Sequence, residues 1–205
     1  MEFYKPIRIG FLNTSSKELI DIAKAWIIVA LAFTIAGTNI FDININNLLL
    51  EFTIVSITVG LGFLLHELAH KLVAQKYGCF AEFRSFDNML FLALIMSLFG
   101  FVFAAPGAVM ISGYINKERN GKISAAGPIT NLLLAIIFFT VTFSSVGFIK
   151  ELATKGLFIN SWLALFNMIP VWELDGAKVL RWNKIVYFVI IIFALGLLLP
   201  NFIQK

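Results

Sequence analysis

Apolar residues fall into long runs separated by short polar stretches, and these runs set the reading of the chain. Runs at 19–37, 50–71 and 125–148 reach the roughly 20 residues that a helix needs to cross a bilayer. Further apolar helices are expected at 157–171 and 185–199. The run at 89–111 differs, because Gly100, Pro106 and Gly107 interrupt it. At the start, the alternation of Phe3, Lys5, Ile7, Ile9 and Phe11 predicts a short amphipathic strand at a membrane surface. Ser15-Ser16-Lys17-Glu18 then fits a capping box that starts the first helix.

Composition turns this pattern into a class. The 205 residues are 60% hydrophobic and only 14% charged, with a mean hydropathy of +0.90, which excludes an ordinary soluble domain and predicts an integral membrane protein. No linker or repeat divides residues 1–205, so a single domain is expected. The net charge of +4 comes from Lys and Arg spread over the segment ends, without interleaved aromatics. That favours membrane topology over nucleic-acid binding. The basic N-terminus argues for a cytoplasmic start, the stretch 38–50 without Lys or Arg for the outside, and 71–88 for the cytoplasm again. Basic Lys5, Arg8 and Lys17 ahead of Ala30-Leu31-Ala32 resemble a cleavable leader, but the apolar run continues to Ala36 and reads better as an uncleaved span. Cys79 is the only cysteine, so neither an intrachain disulfide nor a cysteine metal knuckle is available.

The chemistry concentrates in "LLHELAHKL" at 64–72. His66-Glu67-Leu68-Ala69-His70 is an HExxH pattern, which places two imidazoles on one helix face with a glutamate turned about 100° from the first. A catalytic zinc normally takes three protein ligands and keeps one position for water. His66 and His70 are the only histidines, so a carboxylate must supply the third ligand. Most carboxylates lie near the N-terminus, on the outer side or in polar stretches; Glu173 and Asp175, after the Pro170 break at the end of an apolar helix, remain.

Three stretches resemble the site-2 protease family of intramembrane zinc metalloproteases: His66-Glu67-Leu68-Ala69-His70, Ala126-Gly127-Pro128-Ile129-Thr130-Asn131, and Asn167-Met168-Ile169-Pro170-Val171-Trp172-Glu173-Leu174-Asp175-Gly176. The resemblance covers a core of about 50–180. It implies one Zn²⁺ held by His66, His70 and Asp175, Glu67 as general base, and Asn167 as a polar partner of substrate or tetrahedral intermediate. A structural role for Asn167 between helices is nearly as well supported. Gly127-Pro128 and Asn131 read as helix-start and packing devices. Implied substrates are membrane-spanning segments of other proteins, with no nucleic acid; the sequence leaves oligomeric state open. The implied location is a prokaryotic cell membrane, with the site toward the cytoplasm.

Metal coordination adds a constraint on topology. A single crossing by 89–111 would leave Asp175 on the far side of the membrane from His70. The fold expected is therefore an all-α polytopic membrane protein of about five transmembrane helices plus a re-entrant hairpin or short membrane-associated β segment, with Lys205 outside. The "APGAV" stretch at 105–109 could present a strand edge to an extended substrate. The competing classes are a metal-binding membrane transporter, which needs ligands along a whole path, and a non-proteolytic relative that only binds membrane helices.

Overall fold

The computed structural model describes residues 7–10, 12–38, 44–102, 106–171 and 174–203. It is mostly helical. A short antiparallel hairpin, β1 (Ile7–Ile9) with β2 (Leu12–Thr14), pairs Ile7 with Thr14; the expected strand at 3–11 therefore turns at Gly10 (φ 59°), while Phe3, Lys5 and Phe11 lie outside the described residues. Helix α1 (Ser16–Gly37) begins where the capping pattern predicts, with the Ser15 hydroxyl accepting from the Glu18 amide. The Glu18 carboxylate does not close the box on Ser15. It accepts from Thr14 Oγ1 (2.6 Å), the Phe83 amide (2.8 Å) and Lys71 Nζ (2.5 Å). Glu18 and Lys71 are almost fully buried, so this ion pair ties the start of α1 to the next helix pair in a dry environment.

Helices α2 (Ile45–Val55) and α3 (Leu61–Lys76) form one continuous rod through a π-helical turn at Ser56–Gly60. The extra residue in a π turn frees a carbonyl from the regular ladder. Here the Ser56 carbonyl accepts from the Trp26 indole at 2.9 Å, and Gly60 lets that indole lie directly against the backbone. Strand β3 (Phe80–Ser85), helix α4 (Asp87–Ser97) and strand β4 (Gly107–Ser112) follow. The two strands pair antiparallel from Phe80↔Ser112 to Ser85↔Gly107, so the chain returns from α4 to the place where it left α3.

Helix α5 (Lys117–Ser144) is capped by the Asn116 side chain, which accepts from the Arg119 amide. It starts well before residue 125, so the reading of Gly127-Pro128 as a helix start is corrected: both lie inside α5. Helix α6 (Gly147–Asn167) returns along α5, and the short α7 (Asp175–Trp182) and then α8 (Lys184–Ile203) complete the chain. Among the described residues three helices are long and apolar enough to cross a membrane: Ser16–Gly37, Ile45–Lys76 and Lys117–Ser144. They suggest membrane association. The other two expected spans fall on α6 and α8, which are not long and apolar enough by the same measure among the described residues.

Two main apolar cores result. One joins α5, α6, α7 and α8 around Leu132, Met168, Val179 and Ile190. The other joins α1, the α2–α3 rod, β3 and α4 around Val29, Val59, Phe83 and Leu90. Between them, α3 faces α5.

Candidate metal centre

Helix α3 presents His66 and His70 one turn apart, and both rings are buried. The third donor comes from the first residue of α7. After α6 ends at Asn167, the chain turns sharply, and Gly176 packs against the Met168 backbone so closely that a Cβ would collide with its carbonyl. That contact sets Asp175 against α3. Its Oδ2 lies 3.2 Å from His66 Nε2 and 3.1 Å from His70 Nε2, and the two Nε2 atoms are 3.0 Å apart.

The three atoms form a nearly equilateral triangle, and this geometry can be tested against zinc. Donors of a tetrahedral Zn²⁺ bound at about 2.0–2.1 Å lie about 3.3 Å from one another, close to the separations seen. Two imidazoles and one carboxylate are also a donor set that suits zinc while leaving a fourth position. The space beside the ring nitrogens is held open by α5: a Cβ at Gly127 would lie 2.5 Å from both Nε2 atoms. Among the described residues His66, His70 and Asp175 are the one set that could hold a metal ion in this way. Glu173, the competing carboxylate, lies outside the described residues.

The outward nitrogens fix how the rings present themselves. His70 Nδ1 donates to the Ile123 carbonyl at 2.7 Å, and His66 Nδ1 to Asn131 Oδ1 at 2.6 Å. Both acceptors are on α5. The Asn131 amide has its orientation set from behind, because its Nδ2 donates to the Gly62 carbonyl and to Asn160 Oδ1, each at 3.1 Å. Asn160 Nδ2 in turn donates to the carbonyls of Gly156 (2.9 Å) and Thr58 (3.4 Å). Every acceptor at the far end is a carbonyl, which cannot donate, so the whole chain has one sense. Protons on both Nδ1 atoms leave both Nε2 lone pairs facing Asp175, the tautomer a metal ligand requires.

Asn131 and Asn160 are fully buried, and sequence reading missed both as parts of this centre. The available signal was an asparagine one turn after Gly127, and another inside the apolar α6.

Glu67 takes no part in the donor triangle. It lies beside β4, where it and Val109 border the same small cavity. In an antiparallel ladder, alternate residues turn their amides away from the partner strand. Phe83 and Val109 are opposite one another, and the Phe83 amide points outward to Glu18 at 2.8 Å. The Val109 amide correspondingly points to the other edge of the sheet, toward Glu67. A cavity of about 10 Å³ beside it, lined among others by Glu67, Lys71, Phe83 and Val109, has room for about one water. The strand expected from "APGAV" thus lies at Gly107–Ser112, and Ala105 falls outside the described residues. Asn167, at the end of α6, donates its amide to the Leu163 carbonyl at 3.0 Å; no hydrogen bond from it to the donor triangle is seen among the described residues.

A helical chain with membrane-length helices and a His₂Asp centre beside an HExxH glutamate has the make-up of a membrane-associated metallohydrolase. Comparison with known proteins makes the class specific. A Methanocaldococcus jannaschii protein provisionally named a zinc metalloprotease is 42% identical over 180 residues, covering 86% of this chain and 90% of that protein. A second protein of that organism, named a zinc metalloprotease, is 26% identical over 69% of this chain, which spans only 38% of its length. A Bacillus subtilis protein, again provisionally named a zinc metalloprotease, is 32% identical over 61% of this chain and 66% of its own length. The chain belongs to this family of zinc metalloproteases, and zinc is its metal. No family profile matches the chain, and no solved structure matches it.

Proposed function

We propose that the protein is an intramembrane zinc endopeptidase of the site-2 protease type, cutting peptide bonds within or near the membrane-spanning segments of other proteins. The observation that carries this reading is the His66–His70–Asp175 triangle beside Glu67, with both histidines and Glu67 on a helix of membrane-spanning length. His66, His70 and Asp175 would hold the ion, with Asn131 and the Ile123 carbonyl locking the two rings. Bound Zn²⁺ supplies an activated water and a Lewis acid for the scissile carbonyl. Glu67 accepts the proton of the attacking water and returns it to the leaving amine. In this reading Asn167, at the end of α6, is the polar partner of the substrate backbone.

The edge of β4 that pairs with no other strand among the described residues supports the choice of substrate. A helical segment offers a protease no free backbone groups, so it must unwind before cleavage, and an unwound segment needs new hydrogen-bond partners in a low-dielectric site. Strand addition to β4 supplies them next to Glu67. In this reading five helices cross the bilayer, the β3–α4–β4 segment enters and leaves on one side, and the centre opens toward the cytoplasm, the side richest in Lys and Arg.

The test is cleavage of single-span substrates by the purified protein in detergent, beside Glu67→Gln and with bound zinc measured in both. Glu67→Gln should abolish cleavage and leave zinc content near one per chain. Absence of cleavage by the parent across a panel of substrates, with transport of metal ions into vesicles instead, would sink the proposal.

A further inference from the structure

The polar end of α5 meets the end of α7 around an open pocket of about 290 Å³, lined by Lys117, Asn120, Lys178 and Arg181. Sequence reading treats these cations as dispersed topology signals, but the fold gathers residues some sixty positions apart into one concavity. No carboxylate among the described residues lines it. The nearest in sequence, Glu118, is held by Lys122 at 2.5 Å on its own helix. Among the described residues, neither Lys117 nor Arg181 forms an ion pair. Among the described residues the guanidinium of Arg181 is anchored through Nε, which donates to the Ala177 carbonyl at 3.0 Å, and its terminal amines face no other partner.

We infer that this pocket binds a phosphate group, as carried by an acidic lipid headgroup or by a soluble phosphate. Lys117, Arg181 and the Asn120 amide around one opening match the charge and acceptor geometry of a phosphate, and Arg contributes a fork that suits two of its oxygens. The start of α5 adds backbone amides and the positive end of its dipole. Position points the same way. Lys117 opens a helix of membrane-spanning length and Lys184 opens the apolar α8, so the pocket lies at the polar boundary where headgroup phosphates sit. Asp175 and Arg181 are at opposite ends of the one short helix α7, about 9 Å apart along its axis. An anion at Arg181 would therefore brace the element that carries the metal-ligating carboxylate. The pocket itself stands whether or not the protein cuts membrane segments.

The experiment uses the full chain in detergent with two probes. In the first arm, retention of phosphatidylglycerol against phosphatidylcholine is measured by native mass spectrometry. In the second, inorganic phosphate is titrated against sulfate-free protein by calorimetry. Lys117→Gln with Arg181→Gln is compared with Lys76→Gln plus Lys150→Gln, which removes the same charge elsewhere. Selective phosphatidylglycerol retention that falls about 25-fold in the pocket variant, fivefold per cation, and less than twofold in the control identifies a lipid site. Binding of inorganic phosphate lost in the same variant, without lipid selectivity, identifies a soluble phosphate as the source. Equal losses in both variants, or no binding in either arm, overturn the inference. If the double variant fails to fold, Arg181→Lys keeps the charge but not the fork, and an unchanged affinity there with no effect of Lys117→Gln also overturns it.

Discussion

Gly127→Ala tests the centre without touching a ligand. The added methyl would start 2.5 Å from His66 Nε2 and His70 Nε2 and 2.6 Å from His66 Cε1, whereas ordinary contact begins near 3.4 Å. To accommodate it, α5 or the imidazoles must withdraw by about 0.9 Å, several times the roughly 0.2 Å tolerance of a metal–ligand bond. Withdrawing α5 also pulls Asn131 and the Ile123 carbonyl from the two Nδ1 atoms, since both belong to the same helix. The expected result is a folded protein, destabilised by about 1–3 kcal/mol of overpacking, whose zinc affinity falls at least about 100-fold, equivalent to about 2.7 kcal/mol. The assay is dialysis against a series of zinc buffers with bound metal measured by plasma mass spectrometry, alongside thermal unfolding. Gly196→Ala, where a Cβ meets nothing within 4 Å, is the control. A Gly127→Ala protein that binds one zinc within about threefold of the parent would refute the proposed donor geometry.

Other substitutions probe separate parts of the argument. Asn131→Ala should lower zinc affinity by about 10–100-fold through loss of the His66 Nδ1 partner, and Asn160→Ala should do the same more weakly; competition with a chelator reads both. Lys71→Met leaves Glu18 buried without its cation and should cost about 3–5 kcal/mol of stability, while Lys71→Met combined with Glu18→Leu should recover much of that loss in thermal unfolding. Removal of zinc by a chelator should lower the unfolding midpoint, and re-addition should restore it in proportion to the logarithm of free zinc.

The amino-acid sequence by itself pointed to a mostly helical chain with helices of membrane-spanning length and to the histidine pair that the fold brings against Asp175. These are local properties: apolar runs longer than a bilayer, two histidines at helical spacing, and a capping serine before α1. The start of α5 was misplaced because Gly127-Pro128 looks like a boundary, whereas the ten residues before it, nine of them polar or small, continue the helix from the Asn116 cap. Tertiary structure alone decided which atoms meet. It set Asp175 against His66 and His70 through the Gly176–Met168 packing, and it brought α5 within reach of both rings because Gly127 has no side chain. It also joined Asn131 to Asn160, and folded β4 back along β3 so that the Val109 amide faces Glu67. Apart from the Gly176–Met168 packing, these contacts join residues tens of positions apart, so no local pattern encodes them. They exist because buried carbonyls, amides and imidazoles in an apolar interior must find one another.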